Sequence, residues 1–175
     1  MALTSRNSCL PVRRAIASRN PDLPAAAGGG CNAILMRGAA IAEHRERELT
    51  RQPERRVMHG VRLEGGEWIV NLHASTHPPE QRRADLLGAA ATALEWAAGA
   101  PLAFGGDLNS TQPAMPGLLH IAGHHVDHLF TEGHPAASEP EVLDAGALSD
   151  HRPLRVAVAA PSTSVAAGTS PSVRR

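Results

Sequence analysis

Hydrophobic and polar positions divide the chain into short extended runs, one long helical stretch and two polar ends. Residues 1–30 mix Arg, Ser, Asn and Pro and finish in an Ala-Gly run. They carry neither the period of two of a strand nor the 3.6 of a helix, and so read as a flexible leader. Residues 32–37 form a short apolar run of strand length that ends at Gly38. The heavily charged residues 41–51 fit a surface helix and an extended connection equally. Residues 56–63 alternate, Glu64-Gly65-Gly66-Glu67 makes a turn, and residues 68–73 resume an apolar run, which predicts a hairpin. Pro78 and Pro79 then open a stretch in which Leu86, Leu87, Ala90, Leu94 and Ala97 recur at helical spacing until Gly99, an amphipathic helix of about five turns.

Beyond the helix, Leu102-Ala103-Phe104 is a buried-strand candidate that runs into Gly105-Gly106-Asp107-Leu108-Asn109, where paired glycines permit a tight turn. A short helix is expected around residues 116–121, and strands over 126–130, 141–143 and 153–159. From Pro161 the chain is Ser, Thr, Ala, Gly and Pro, which predicts a disordered tail over 161–175. Residues 31–160 are left as one domain of α/β character, of a size that supports one core.

Composition narrows the field. The formal net charge is zero, which excludes the large positive field that would drive sequence-independent nucleic-acid binding. Any polyanion site must be local. With Cys9 and Cys31 as the only cysteines, neither a disulfide framework nor a Cys-rich zinc site is supported, and a reducing cytoplasmic location fits. No run of about 18 apolar residues occurs that would span a membrane.

Groups able to attack a phosphoester cluster at four predicted loop positions. Such chemistry asks for a divalent cation, a carboxylate or imidazole that positions water, and donors for the developing charge. His73 follows an apolar strand. Asp107 and Asn109 follow the Gly-Gly turn. Asp127 and His128 lie in Val126-Asp127-His128-Leu129-Phe130, and Asp150 and His151 in Ser149-Asp150-His151-Arg152-Pro153. Blander readings stand beside each. Gly-Asp-x-Asn is a common turn, Trp68 and Trp96 suit core packing, and the 43–51 charges suit a solvated face. His124, His125, Asp127 and His128 resemble a transition-metal set, but on a strand His125 and Asp127 share one face while His128 points to the other.

In combination and in order, Asn71-Leu72-His73, Gly105-Gly106-Asp107-Leu108-Asn109, Val126-Asp127-His128-Leu129-Phe130 and Ser149-Asp150-His151-Arg152-Pro153 resemble the motifs of the endonuclease/exonuclease/phosphatase superfamily. The strand that begins at Arg55-Arg56 and the helix with Arg82 also occupy places similar to that family's. The resemblance implies a four-layer α/β sandwich of two facing mixed sheets with outer helices, here incomplete and lacking N-terminal strands. It implies Mg²⁺ or Mn²⁺ as cofactor and a phosphodiester or phosphomonoester as substrate, in a nucleic acid, a phosphorylated small molecule or a lipid headgroup. By the same resemblance Asp107 orients the attacking water and can bind the metal, Asn109 holds a phosphate oxygen, and Asp150 contacts the metal. His151 bonds the scissile phosphate, Asp127 orients His151, and His73 is the second imidazole. The family's early Asn strand and its Gln-Glu strand, with the principal metal-binding Glu, are not found before Cys31. Two alternatives to a self-sufficient enzyme therefore stay open: a non-catalytic remnant, or a half-domain whose exposed core is covered by a partner chain.

Overall fold

The protein is described from a computed structural model, which covers residues 1–3, 12, 31–52 and 54–159. Its frame is a six-stranded mixed sheet in the order β3-β4-β5-β6-β8-β7, built from β3 (Ile41–Thr50), β4 (Arg56–Leu63), β5 (Trp68–Asn71), β6 (Leu102–Asp107), β7 (Leu119–His124) and β8 (Asp127–Glu132). Helix α1 (Pro79–Ala97) connects β5 to β6, the one parallel pair in this sheet. All other neighbours in it are antiparallel. Two antiparallel two-stranded pieces complete the described structure, β1 (Ala2–Leu3) with β2 (Ala33–Ile34) and β9 (Glu141–Val142) with β10 (Leu154–Arg155). No helix among the described residues is long and apolar enough to cross a membrane.

Local chemistry explains the elements that were predictable. The 64–67 turn joins β4 to β5 with Leu63 N–H donating to Glu67 O at 2.9 Å, and Gly66 takes the positive φ of 98° the turn requires. Helix α1 begins directly after Pro78, with Pro79 in its first turn where no N–H is needed, and ends at Ala98 in the left-handed conformation. Its buried stripe is Leu86, Ala89, Ala90, Ala93 and Ala97, while Leu87 is 40% exposed. The small alanines let the helix lie close on Met58, Trp68, Val70, Leu72, Leu102, Phe104 and Phe130 of the sheet. Each of the larger buried side chains there contributes about 1.5–3 kcal/mol. Trp68 and Trp96 stack in this layer at 5.7 Å, confirming packing as their role.

One open stretch is resolved and three expectations need correction. The charged residues 41–50 are a strand, because β3 is the sheet's edge and its Glu side chains reach across, Glu43 to Arg62 of β4 and Glu48 to Arg55 just before β4; charge also keeps an edge from pairing further. The helix expected near 116–121 is instead a turn followed by the start of β7, which pairs with β8 across a two-residue hairpin turn at His125 and Val126. The strand expected over 32–37 shrinks to Ala33–Ile34, and its partner is Ala2–Leu3, residues expected to lie in an unstructured leader. The strand expected over 153–159 is Leu154–Arg155 plus one bridge between Ala136 and Val158. The remainder of the expected leader, apart from residue 12, and the tail from 161 lie outside the described residues.

Candidate active site

Parallel strands β5 and β6 run in register, with Asn71 opposite Gly105, so their carboxyl ends release His73 and Asp107 side by side. Strand ends of this kind are where open α/β sheets collect polar groups. Antiparallel β8 begins where β6 ends, which puts Asp127 directly opposite Asp107 on the same sheet face. The junction is tight: Leu72 N–H donates to Gly105 O at 3.2 Å, Ala74 N–H to Asp107 O at 2.9 Å and Leu108 N–H to Val126 O at 2.8 Å. Gly106, at φ 147°, leaves no space for a Cβ, which would lie 1.9 Å from Leu72 O.

Two Asp–His pairs result. His73 Nε2 stands 3.4 Å from Asp107 Oδ2, and His151 Nδ1 donates to Asp127 Oδ2 at 2.7 Å. Asp107 Oδ1 accepts the Asn109 backbone N–H at 2.9 Å, and the Asn109 side-chain amide donates to Ala74 O at 2.9 Å. The turn reading of Gly-Asp-x-Asn thus holds together with the site reading, because the turn uses one carboxylate oxygen and leaves the other toward His73. Asn109 sits at φ 50°, a conformation Asn tolerates better than most residues.

Electrostatics separates the two imidazoles. The Asp127 carboxylate, by hydrogen bond and by charge, raises the His151 pKa above its ordinary value, with Asp107 and Asp150 adding to the effect. Burial lowers that of His73, helped by the Arg56 guanidinium and opposed by Asp107. The two imidazoles are thus shifted in opposite directions, His151 toward holding its proton and His73 toward losing it. Asp150 lies on the exposed turn beside His151. The turn is shaped by His151 N–H donating to Ser149 Oγ at 3.0 Å. A cavity of about 260 Å³ opens here, its lining including Gly106, Asp127, His128, Ser149, His151 and Arg152.

The structure thus brings His73, Asp107, Asn109, Asp127 and His151 to one end of the sheet, with Asp150 beside them. His128, from the same motif, does not join them. It is buried on the opposite face, where Nε2–H donates to Ser110 O at 2.8 Å and fastens the 107–110 loop to the β7–β8 hairpin. His125 is a turn residue at φ 53° rather than a strand residue, so the facing argument does not apply to it. Asp85, only 1% exposed, carried no sequence signal, whereas Arg56, only 5% exposed and bonded to Glu54 and Thr76, opens a strand the resemblance had already singled out. Glu54 and Gln81 are near in sequence, while Thr76 beside Arg56 and Thr50 and Ser75 around Asp85 are brought in by the fold.

Among the described residues no group of three or more His, Cys, Asp or Glu side chains forms a metal cage. Mg²⁺ asks for less, since it binds through one or two carboxylates and keeps several waters or substrate oxygens. Asp107 and Asp150 are hard oxygen donors of that type, and both act on the His151 ring. The donor chemistry fits Mg²⁺ or Mn²⁺ better than a soft transition metal.

No family model and no curated protein sequence matches the chain. Solved structures do. An endonuclease/exonuclease/phosphatase family protein from Bacteroides thetaiotaomicron superposes with a TM-score of 0.56 at 16% identity, covering 67% of this chain and 63% of that one. The mannosyl-6-phosphatase Bt3783 of Bacteroides thetaiotaomicron VPI-5482 gives 0.53 at 15% identity, over 69% and 67%. TDP2 from C. elegans gives 0.51 at 17% identity, over 62% and 46%. The chain therefore spans about two-thirds or less of the length of these structures. One six-stranded mixed sheet and its helix define an α/β protein. The fold is shared with these structures, among them the endonuclease/exonuclease/phosphatase family protein, in agreement with the fold that the four motifs' resemblance implies.

Proposed function

We propose that the chain is a divalent-metal-dependent phosphoesterase domain that hydrolyses a phosphodiester or phosphomonoester at the four-loop cluster. The observation that carries this reading is the convergence of two Asp–His pairs and Asn109 at the ends of β5, β6 and β8. Asp107, with Oδ2 turned toward His73, orients the attacking water. The Asn109 amide and His151 Nε2–H donate to phosphoryl oxygens. Asp127 holds the His151 Nδ1–H and favours the imidazolium, a stronger donor to developing negative charge. His73, with its lowered proton affinity, stands as the neutral imidazole beside the phosphate or leaving group. Mg²⁺ or Mn²⁺, held by Asp150 and Asp107, would supply neutralisation of the phosphoryl charge when bound. The substrate class is a phosphoester of a nucleic acid, a phosphorylated small molecule or a lipid headgroup.

A second reading draws on the chain's span of 63% of the Bacteroides family protein: a non-catalytic remnant, or a half-domain that works with a further segment or partner chain. One experiment separates the two. Hydrolysis of an activated phosphodiester is followed with Mg²⁺ or Mn²⁺, with chelator, and for Asp107→Ala and His151→Ala. Turnover that needs metal and falls by about 10²-fold or more in both variants supports the enzyme. Absence of turnover from folded protein refutes a self-sufficient enzyme, and restoration by an added N-terminal segment identifies the half-domain.

A further inference from the structure

We propose that Asp85 is a positioning residue for the site, holding the loop that carries His73 from the side opposite β6. This rests on the phosphoesterase reading above. The loop at residues 72–76 leaves the sheet after Asn71 and has no secondary structure of its own, so its geometry depends on bonds outside any ladder. On one side Ala74 is clamped to β6 by its N–H to Asp107 O and by the Asn109 amide on its carbonyl, each at 2.9 Å. On the other side the next residue, Ser75, donates its N–H to Asp85 Oδ2 at 3.0 Å.

Asp85 is itself fixed. It lies on α1 and is 1% exposed, with Oδ1 accepting from Thr50 Oγ1 at 2.5 Å and from Gln81 Nε2 at 3.1 Å. Gln81 also donates to Thr50 Oγ1 at 2.6 Å, which closes the triangle. The carboxylate thereby joins the end of β3, the first turns of α1 and the site loop. A buried carboxylate is costly unless its oxygens are well bonded. This one spends an oxygen on the backbone of a loop one residue away from the Ala74 clamp and two from His73. Its removal frees Ser75 while the β6 contacts remain, so the His73 ring loses its fixed distance from Asp107 without the sheet being disturbed.

The test uses Asp85→Asn, with Thr50→Val as a milder variant of the same network and Thr92→Val as a control. Thr92 is buried on the same helix, and its hydroxyl has no partner. Amide hydrogen exchange is read at Ala74 and Ser75 against Val70 and Phe104 in the flanking strands. Turnover of an activated phosphodiester gives kcat and KM separately. In Asp85→Asn, exchange at Ala74 and Ser75 accelerates about tenfold relative to Val70 and Phe104, and kcat drops about 10- to 100-fold while KM stays within about twofold. Thr50→Val moves the same quantities in the same direction by about two- to tenfold, and Thr92→Val moves neither. The proposal is overturned if local exchange is unchanged, if protection falls equally across the strands, or if the loop loosens with kcat intact. A wild-type chain without turnover would refute the phosphoesterase reading instead. Exchange at Ala74 and Ser75 would then still decide whether Asp85 holds the loop.

Discussion

Replacing Gly106 by Ala tests the claim that the β5–β6 junction sets the site. An added Cβ would lie 1.9 Å from the carbonyl oxygen of Leu72 and 2.9 Å from its carbon. Neither atom is the end of a flexible side chain. Leu72 is fully buried, and its N–H is bonded to Gly105 O, so the strand cannot step aside without parting from β6. The backbone at φ 147° adds a conformation that L residues rarely adopt, worth about 1–3 kcal/mol. Overpacking against a fixed neighbour costs roughly another 1–3 kcal/mol. The sum, about 2–6 kcal/mol, is a large part of a typical 5–15 kcal/mol stability. Each kcal/mol shifts Tm by about 2–4 °C at this chain length. Gly38→Ala is the matched control, with a positive φ of 79° but nothing within 4 Å of the new Cβ. Urea unfolding followed by the fluorescence of the stacked Trp68 and Trp96 reports both variants. Gly106→Ala no less stable than Gly38→Ala would refute the steric reasoning.

Three further outcomes follow from the same structure. His59 is fully buried, and burial, with His44 as a second cause, lowers its pKa to about 4. Its native state resists a proton that the unfolded chain accepts below about pH 6.5, so stability is complete above that pH and is lost as pH falls toward 4, by at most about 3 kcal/mol. His59→Leu should flatten that acid limb in urea titrations at pH 7, 5.5 and 4.5, and an unchanged slope would assign the acid loss to other groups. Asp127→Asn should bring the His151 titration, followed by NMR, down from its raised value toward the ordinary one; a titration that does not move means the 2.7 Å bond is not kept in solution. Phe104→Ala should destabilise by about 3–5 kcal/mol, because the ring is buried under α1, whereas Leu148→Ala, 95% exposed, should change stability by less than about 0.5 kcal/mol.

Local pattern alone determined a good deal of this protein. The β4–β5 hairpin is written in Gly65-Gly66 and the extent of α1 in Pro78, Pro79 and Gly99, whereas the paired Gly105 and Gly106, expected to turn, continue β6 to Asp107. The motifs also named the residues that the fold gathers, since loop chemistry at strand ends repeats as short strings. What pattern could not reach was decided by partners distant in sequence. Residues 41–50 are a strand only because β4 offers its free edge, with Ile41 opposite Leu63. Asp85 looks like one more polar helix residue until Thr50 and Ser75 close on it across separations of 35 and 10 positions. Hydrophobic period and turn residues act within a few residues of themselves and so are legible in a string. The register of an edge strand, the burial of a carboxylate and the distance between His73 and Asp107 are set by contacts that exist only once the sheet has formed.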